Sequence, residues 1–161
     1  MELKLPPNVI GQADVARISR ELVGLNDFFV SAAARKSGTS MQPPRLSRLL
    51  DQLAKFNDCN LLEEADRAKL LAAIKLLTEN APVLHISFAT EPSIKALERI
   101  ILWLRQNIHP QTLLTVGLQP SIAAGCVLRT PNRWFDMSMR EYLRKQEPYL
   151  AQLIGSAEDG K

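Results

Sequence analysis

The fold class is decided where the chain reads Val83-Leu-His-Ile-Ser-Phe88. Side chains of an extended segment point alternately to opposite sides, so this segment separates an apolar face from a more polar one and predicts a short strand. Apolar residues recur at spacings of three and four from about residue 92 to 108, which predicts a helix. Residues 112–116 predict a second strand, parallel to the first if the helix is a crossover connection.

The chain after this strand–helix–strand unit predicts a β-hairpin and a final helix. Strands are expected at residues 126–129 and 133–135, joined by a tight turn at Pro131 and Asn132. Ser138 and Glu141 have the spacing of a capping box, which predicts that the last helix begins at Ser138. Pro148 is expected to bend or divide that helix, and the small polar residues 156–161 predict a mobile tail.

The first half of the chain predicts three helices. An apolar stripe runs through residues 14–35, a second helix is expected from Pro44, and a third is expected to be capped by Asn60 with Glu63. Gly and paired Pro make residues 36–44 a loop or linker. The sequence therefore predicts an α+β protein, with a helical domain at residues 1–80 and a small α/β domain at residues 81–161.

The composition favours a folded protein with a mixed surface charge. The 161 residues are 46% hydrophobic and 23% charged, and the net charge is +3. Basic and acidic residues alternate along the predicted helices, which is typical of solvated helix faces. The pI of about 9.0 and the two Trp residues leave a small RNA- or DNA-binding protein as the alternative. The N-terminus has no secretory signal, so we expect a cytoplasmic location.

No catalytic, cofactor or metal site is predicted. His85 lies inside a predicted strand, and His109 stands at a helix end, where an imidazolium can interact with the last carbonyls. Cys59 and Cys126 have no Cys or His at metal-ligand spacing, so we expect two buried free thiols. The seven glycines are scattered singly, and no phosphate-binding loop is formed.

One stretch carries a resemblance to a known family. The sequence Leu118-Gln-Pro-Ser-Ile-Ala-Ala-Gly-Cys-Val-Leu-Arg-Thr-Pro-Asn-Arg-Trp-Phe-Asp-Met-Ser-Met-Arg-Glu-Tyr-Leu143 resembles the C-terminal signature of delta subunits of F-type ATP synthases, the family of the oligomycin-sensitivity-conferring protein. The residues that match the signature in order are Pro120, Gly125, Val127, Asn132, Phe135, Asp136, Ser138 and Leu143. The chain departs from the signature at Ala124, where the family has a second Gly, and at Met137, where the family has a Gly.

The resemblance implies a structural subunit without catalytic activity. Family members join the catalytic head to the b-subunit stalk and resist the torque of the rotor during proton-driven ATP synthesis. The expected partners are the alpha and beta subunits of the head and the b subunits of the stalk, with no small-molecule substrate, no cofactor and no nucleic acid. The expected location is the cytoplasmic face of the cell membrane, with membrane contact only through the complex.

The resemblance also suggests where partners bind. The family's N-terminal domain is a six-helix bundle that receives helices of the alpha subunits, whereas residues 1–80 show three evident helices. Head binding is expected on the first helix at Val15, Ile18, Leu22 and Leu25. Stalk binding is expected on the last helix at Tyr142, Leu143, Tyr149 and Leu150.

Overall fold

The computed structural model describes residues 3–34, 44–122, 124–130 and 132–158, and at positions 141, 150, 153 and 155–158 it describes the backbone alone. The chain is an α+β protein with five helices and one mixed sheet of four strands in the described ranges. The first half is helical and the strands follow. In chain order the elements are α1 (Gln12–Ala33), α2 (Arg48–Phe56), α3 (Glu64–Asn80), β1 (Val83–Phe88), α4 (Ile94–Asn107), β2 (Leu113–Leu118), a 3₁₀ turn (Pro120–Ile122), β3 (Gly125–Arg129), β4 (Trp134–Ser138) and α5 (Arg140–Glu158).

By internal contacts, the chain divides into two compact units. The first consists of Met1–Val83 and Ile94–Leu114, and the second of Leu84–Ser93 and Thr115–Lys161. The sequence-based boundary between residues 80 and 81 stays a prediction, but α4 groups with the first unit. The reason lies in polar contacts of residues 105–114 with the N-terminal segment, described below.

The first unit is built on a core of apolar side chains from α1, α2 and α3. Residues three or four apart on a helix lie on one face, and α1 packs that face against α2 and α3. The segment before α1 adds Leu3, Leu5 and Val9 to the same core. Side chains with less than 2% exposure include Ile18, Leu22, Leu50, Leu53, Leu70, Ile74 and Leu77.

Two arginines in the first unit donate to backbone carbonyls instead of pairing with carboxylates. Arg67 of α3 is buried, its guanidinium lies 4.4 Å from the ring centre of Phe29, and its Nη1 donates to the carbonyls of Leu61 and Leu62. Arg105 of α4 is half-buried, and burial lowers its pKa to about 10, so it is charged at neutral pH. Its guanidinium donates over 2.5–3.3 Å to the carbonyls of Leu5, Pro6, Val9 and Thr112.

The backbone adds a further tie between the N-terminal segment and β2. The N–H of Leu114 donates to the carbonyl of Ile10 at 2.9 Å. At Gly11 a Cβ atom would lie 2.6 Å from the carbonyl oxygen of Leu114, so only glycine permits this approach. These contacts explain why α4 and the start of β2 belong with the first unit.

Two helix starts differ from the sequence-based prediction. α2 begins at Arg48 and not at Pro44, because the Ser47 hydroxyl accepts the N–H of Leu50 and caps the helix there. α3 begins after Glu63, so Asn60 is not its N-cap. Asn60 instead shapes the preceding turn, where its side-chain oxygen accepts the N–H of Leu62 at 3.1 Å.

The register of the second unit's strands defines two faces of the sheet. The strand order is β2–β1–β3–β4, and β3 pairs antiparallel with both β1 and β4. Cross-strand partners share a face. The His85 face, as we name it, carries His85, Ser87, Val127, Arg129, Trp134 and Asp136, and the Leu84 face carries Leu84, Ile86, Cys126, Leu128, Phe135 and Met137.

The end of the chain also differs from the prediction. β4 extends to Ser138, so Ser138 is a strand residue, and Met139 separates it from α5. The predicted cap at Ser138 is therefore wrong, and the side chain of its expected partner Glu141 lies outside the described part. α5 is one helix that contains Pro148 and reaches Glu158, so it is not divided. Residues 159–161 of the predicted tail and residues 36–43 of the predicted linker also lie outside the described part.

Candidate partner-binding surface

The four residues expected to bind the head lie in the core of the first unit. Val15, Ile18, Leu22 and Leu25 are each at most 4% exposed. They contact this chain's own helices, because α1 turns this stripe toward α2 and α3. A partner helix could reach them only if the core opened. The structure thus gives this stripe a core role.

The residues expected to bind the stalk are exposed on α5. Tyr142 is 60% exposed, Leu143 48% and Tyr149 59%. Tyr142 and Tyr149 are seven residues apart, so they lie on the same side of the helix two turns apart. The side chain of Leu150 is outside the described part. An amphipathic helix that exposes such a stripe has the form that binds a helix or groove of a partner.

The strand that precedes α5 extends this exposed apolar region along the chain. Phe135, Met137 and Met139 are 44–54% exposed. We call Phe135, Met137, Met139, Tyr142, Leu143 and Tyr149 together the β4–α5 apolar surface. The sequence-based prediction placed Met139 on the last helix but missed Met137, because it ended β4 at Phe135. The alternation of Phe135, Asp136 and Met137 was the signal that could have extended the strand.

Gly125 occupies a position that only glycine tolerates. Its φ is +93°, in the region that residues with side chains avoid. A Cβ atom there would lie 2.5 Å from the carbonyl oxygen of Met137 on the paired strand. This residue of the resembling stretch therefore has a geometric role at the start of the hairpin.

Hydrogen bonds of polar residues shape both ends of the hairpin. Between β3 and β4, the Thr130 hydroxyl accepts the N–H of Arg133 and donates to its carbonyl, which closes the turn that contains Asn132. Pro131 lies outside the described residues. At the end of β4, Asp136 Oδ1 accepts the N–H of Ser138 at 2.8 Å. The adjacent Ser138, whose N–H donates this bond, holds the pKa of the Asp136 carboxyl below its usual range.

Among the described residues of the resembling stretch, Gly125 alone has a positive φ. Pro120 opens the 3₁₀ turn that follows β2. Ala124 and Met137, the two departures from the signature, do not have positive φ. An alanine and a methionine therefore fit these positions without backbone strain.

The residues considered for chemistry serve local structure. His109 Nδ1 accepts the N–H of Gln111 at 3.1 Å, so it shapes the turn after α4 instead of donating to the carbonyls at the helix end as predicted. Cys59 and Cys126 are free and half-buried, and burial raises the pKa of both thiols. His85 is exposed on its face of the sheet.

Comparisons with known proteins give no family assignment. No protein-family model matches the chain, and no curated protein is significantly similar to it. None of the helices in the described ranges combines the length and the hydropathy that a membrane span requires.

Proposed function

We propose that this protein is a non-catalytic adaptor of the peripheral stalk of an F-type ATP synthase. In this role it links the catalytic head to the b subunits and resists the torque of the rotor. The observation that carries the proposal is the β4–α5 apolar surface, which the chain leaves exposed next to the residues of the resembling stretch. The proposal extends to its location, at the cytoplasmic face of the membrane through the complex.

The exposure of this surface supports a role in binding. Single apolar residues on a protein surface are common, whereas here six lie within 15 positions of the chain and each is at least 44% exposed. Two are tyrosines, which bury a large area on binding at a low cost in conformational entropy. A long amphipathic helix from the stalk is a partner that fits such a surface.

The geometry of the resembling stretch supports the same proposal. Gly125 has a left-handed backbone that other residue types would adopt poorly, and Asp136 supplies a side-chain acceptor for the N–H of Ser138. A shared sequence signature is most informative where its residues carry such constraints. The order of strand, helix, strand, hairpin and helix over residues 83–158 also agrees with that of the family's C-terminal domain.

The first unit provides the head contact in this proposal. We infer that α1, α2 and α3 form a shortened bundle in place of the family's six helices. Because the core stripe of α1 is buried, the contact falls to the exposed side of the bundle. On that side of α1, Val23 and Val30 are 42% and 59% exposed and lie two turns apart.

A pull-down from the organism's own membranes tests the proposal. Tagged wild-type chain is expected to recover the alpha, beta and b subunits. The doubly substituted chain Tyr142→Asp/Leu143→Asp is expected to lose the b subunits, because burying two carboxylates in an apolar contact costs several kcal/mol. Leu62→Asp provides the matched control, since Leu62 is 73% exposed outside the proposed surface. Recovery of unrelated proteins alone by the wild-type chain would contradict the proposal.

A further inference from the structure

The His85 face of the second unit carries an open groove that the stalk proposal does not use. Its volume is about 680 Å³, and a smaller hollow of about 90 Å³ shares three of its lining residues and extends to Asp136 and Arg140. Such a volume is typical of a site for a small molecule or a few residues of a peptide. The described residues that line the groove are His85, Ser87, Gln119, Val127, Arg129 and Trp134.

A row of three side chains crosses the groove. The register pairs His85 with Arg129 and Arg129 with Trp134, so the imidazole, the guanidinium and the indole stand side by side on three strands. Cross-strand neighbours have Cβ atoms about 5 Å apart. Among the described residues, Arg129 has neither an ion pair nor a side-chain hydrogen bond. Its planar fork is free to bind a carboxylate through two parallel hydrogen bonds.

The next row of the same face runs from the groove into the adjoining hollow. Ser87, Val127 and Asp136 are cross-strand partners, and Val127 is buried between the two polar residues. Trp134 is 69% exposed, so its indole and Val127 offer an apolar contact beside the Arg129 fork. A ligand with a negative group next to an apolar group matches this arrangement.

The charges around the groove favour a ligand with one negative group. Among the described lining residues, Arg129 carries the one permanent charge. In the adjoining hollow the carboxylate of Asp136, whose pKa is lowered by Ser138 and by the charge of Arg140, lies with Arg140, so these two charges offset each other. A nucleic acid strand carries a phosphate at every nucleotide, and the described lining of the groove offers a cation to one of them. The localised negative group is therefore expected at Arg129.

We propose that this groove binds an acidic segment of a partner polypeptide. One carboxylate of the segment sits on the Arg129 fork beside His85, and a neighbouring apolar side chain packs on Trp134 and Val127. Phe135 and Met137 of the β4–α5 apolar surface point to the opposite face of the sheet, so the two sites do not compete for the same strand residues. The proposal does not depend on the stalk adaptor role.

A titration followed by ¹H–¹⁵N NMR of the full chain tests the proposal. The probe is a blocked hexapeptide that contains one Glu followed by one Leu among Gly and Ser residues, and the control probe has Gln in place of Glu. The Glu peptide is expected to shift the indole N–H of Trp134 and the side-chain amide of Gln119, and to leave the indole of Trp103 unchanged. The Gln peptide is expected to bind at least tenfold more weakly, since it lacks the charge that the fork recognises.

Two variants and a matched control locate the binding. Arg129→Gln removes the fork, and Gln119→Glu adds a repelling carboxylate; both residues are exposed, so the fold should survive, which the backbone spectrum verifies. Each is expected to weaken binding of the Glu peptide about tenfold. Arg99→Gln removes an equal charge from an exposed position on α4 and is expected to change nothing.

Three results would overturn the proposal. The first is the absence of shifts at Trp134 and Gln119 with millimolar Glu peptide. The second is equal weakening by Arg129→Gln and Arg99→Gln, which would mean that the peptide responds to net charge alone. The third is a single-stranded oligothymidylate that shifts the same groove resonances while the Glu peptide does not, which would assign the groove to nucleic acid.

Discussion

In the first unit the apolar stripe of α1 is almost completely buried, whereas in the second unit the apolar stripe of α5 is about half to two-thirds exposed. Both stripes follow helical spacing, and both were expected to hold a partner. Periodicity therefore identifies a helix face that will be buried, but not whether the surface that covers it comes from the same chain. For α1 that surface is α2 and α3.

Alanine substitutions in the two stripes should change the free energy of unfolding by very different amounts. Leu22→Ala should lower the free energy of unfolding by about 2–5 kcal/mol, because it opens a cavity in a packed core. Leu143→Ala should change it by less than about 0.5 kcal/mol, because the side chain is already half exposed. Urea unfolding followed by circular dichroism measures both. Equal losses for the two variants would mean that α5 is packed as tightly as α1.

Gly125→Ala tests the backbone of the hairpin that leads into the exposed surface. A left-handed residue with a side chain costs about 1–3 kcal/mol, and the Cβ contact with the Met137 carbonyl adds to that cost. The control is Gly24→Ala in α1, where a Cβ atom meets nothing within 4 Å and helix propensity should add about 0.5–1 kcal/mol of stability. Relative to the wild-type chain, the Tm should be lower for Gly125→Ala and higher for Gly24→Ala. A stabilised Gly125→Ala would show that the turn is not left-handed.

Arg105→Gln tests the hydrogen bonds that join α4 to the segment before α1. The substitution removes the donor shared by the carbonyls of Leu5, Pro6, Val9 and Thr112. The site is half-buried, so water can replace part of the loss, and about 1–2 kcal/mol of destabilisation is expected in urea unfolding. Hydrogen exchange should accelerate at Val9 and Leu114. The matched control Arg99→Gln on the same helix should leave the free energy of unfolding and these exchange rates unchanged.

The smallest expected effect concerns Asp136 at the end of β4. Its pKa is lower in the folded chain than in the unfolded one, so the ionised carboxylate stabilises the fold above the ordinary aspartate pKa of about 3.9. That contribution is lost as the pH falls through the lowered value. Between pH 5 and pH 2, the Tm of the wild-type chain should therefore fall more than that of Asp136→Asn. Identical falls in Tm would mean that the Ser138–Asp136 hydrogen bond does not stabilise the fold.

The α+β class and the order of elements were predictable because they depend on local patterns. The spacing of apolar residues in α1 and the alternation in β1 each follow from covalent geometry. The cap of α3 was predicted wrongly because Asn60 and Glu63 are both suitable near a helix start, and contacts within the turn select between them. β4 was predicted too short because the alternation of Phe135, Asp136 and Met137 is a weak signal by itself, and pairing with β3 is what extends the strand to Ser138.

The candidate surfaces were predictable to different degrees. The stripe at Tyr142, Leu143 and Tyr149 was found from helical spacing and from the resemblance, and it is exposed. The groove on the His85 face was not found, because His85, Arg129 and Trp134 are far apart in sequence and only the register brings them into one row. The buried stripe of α1 was assigned to a partner because the sequence does not show that α3 occupies it.

Calorimetric titration tests whether the β4–α5 apolar surface binds the stalk. The purified chain is titrated with the soluble part of the b subunits from the same organism, alongside Tyr142→Asp/Leu143→Asp and the control Leu62→Asp. The account predicts saturable binding by the wild-type chain and by Leu62→Asp, and a loss of at least tenfold in affinity for the double variant. Unchanged affinity of a folded double variant, or no binding by the wild-type chain, would contradict it.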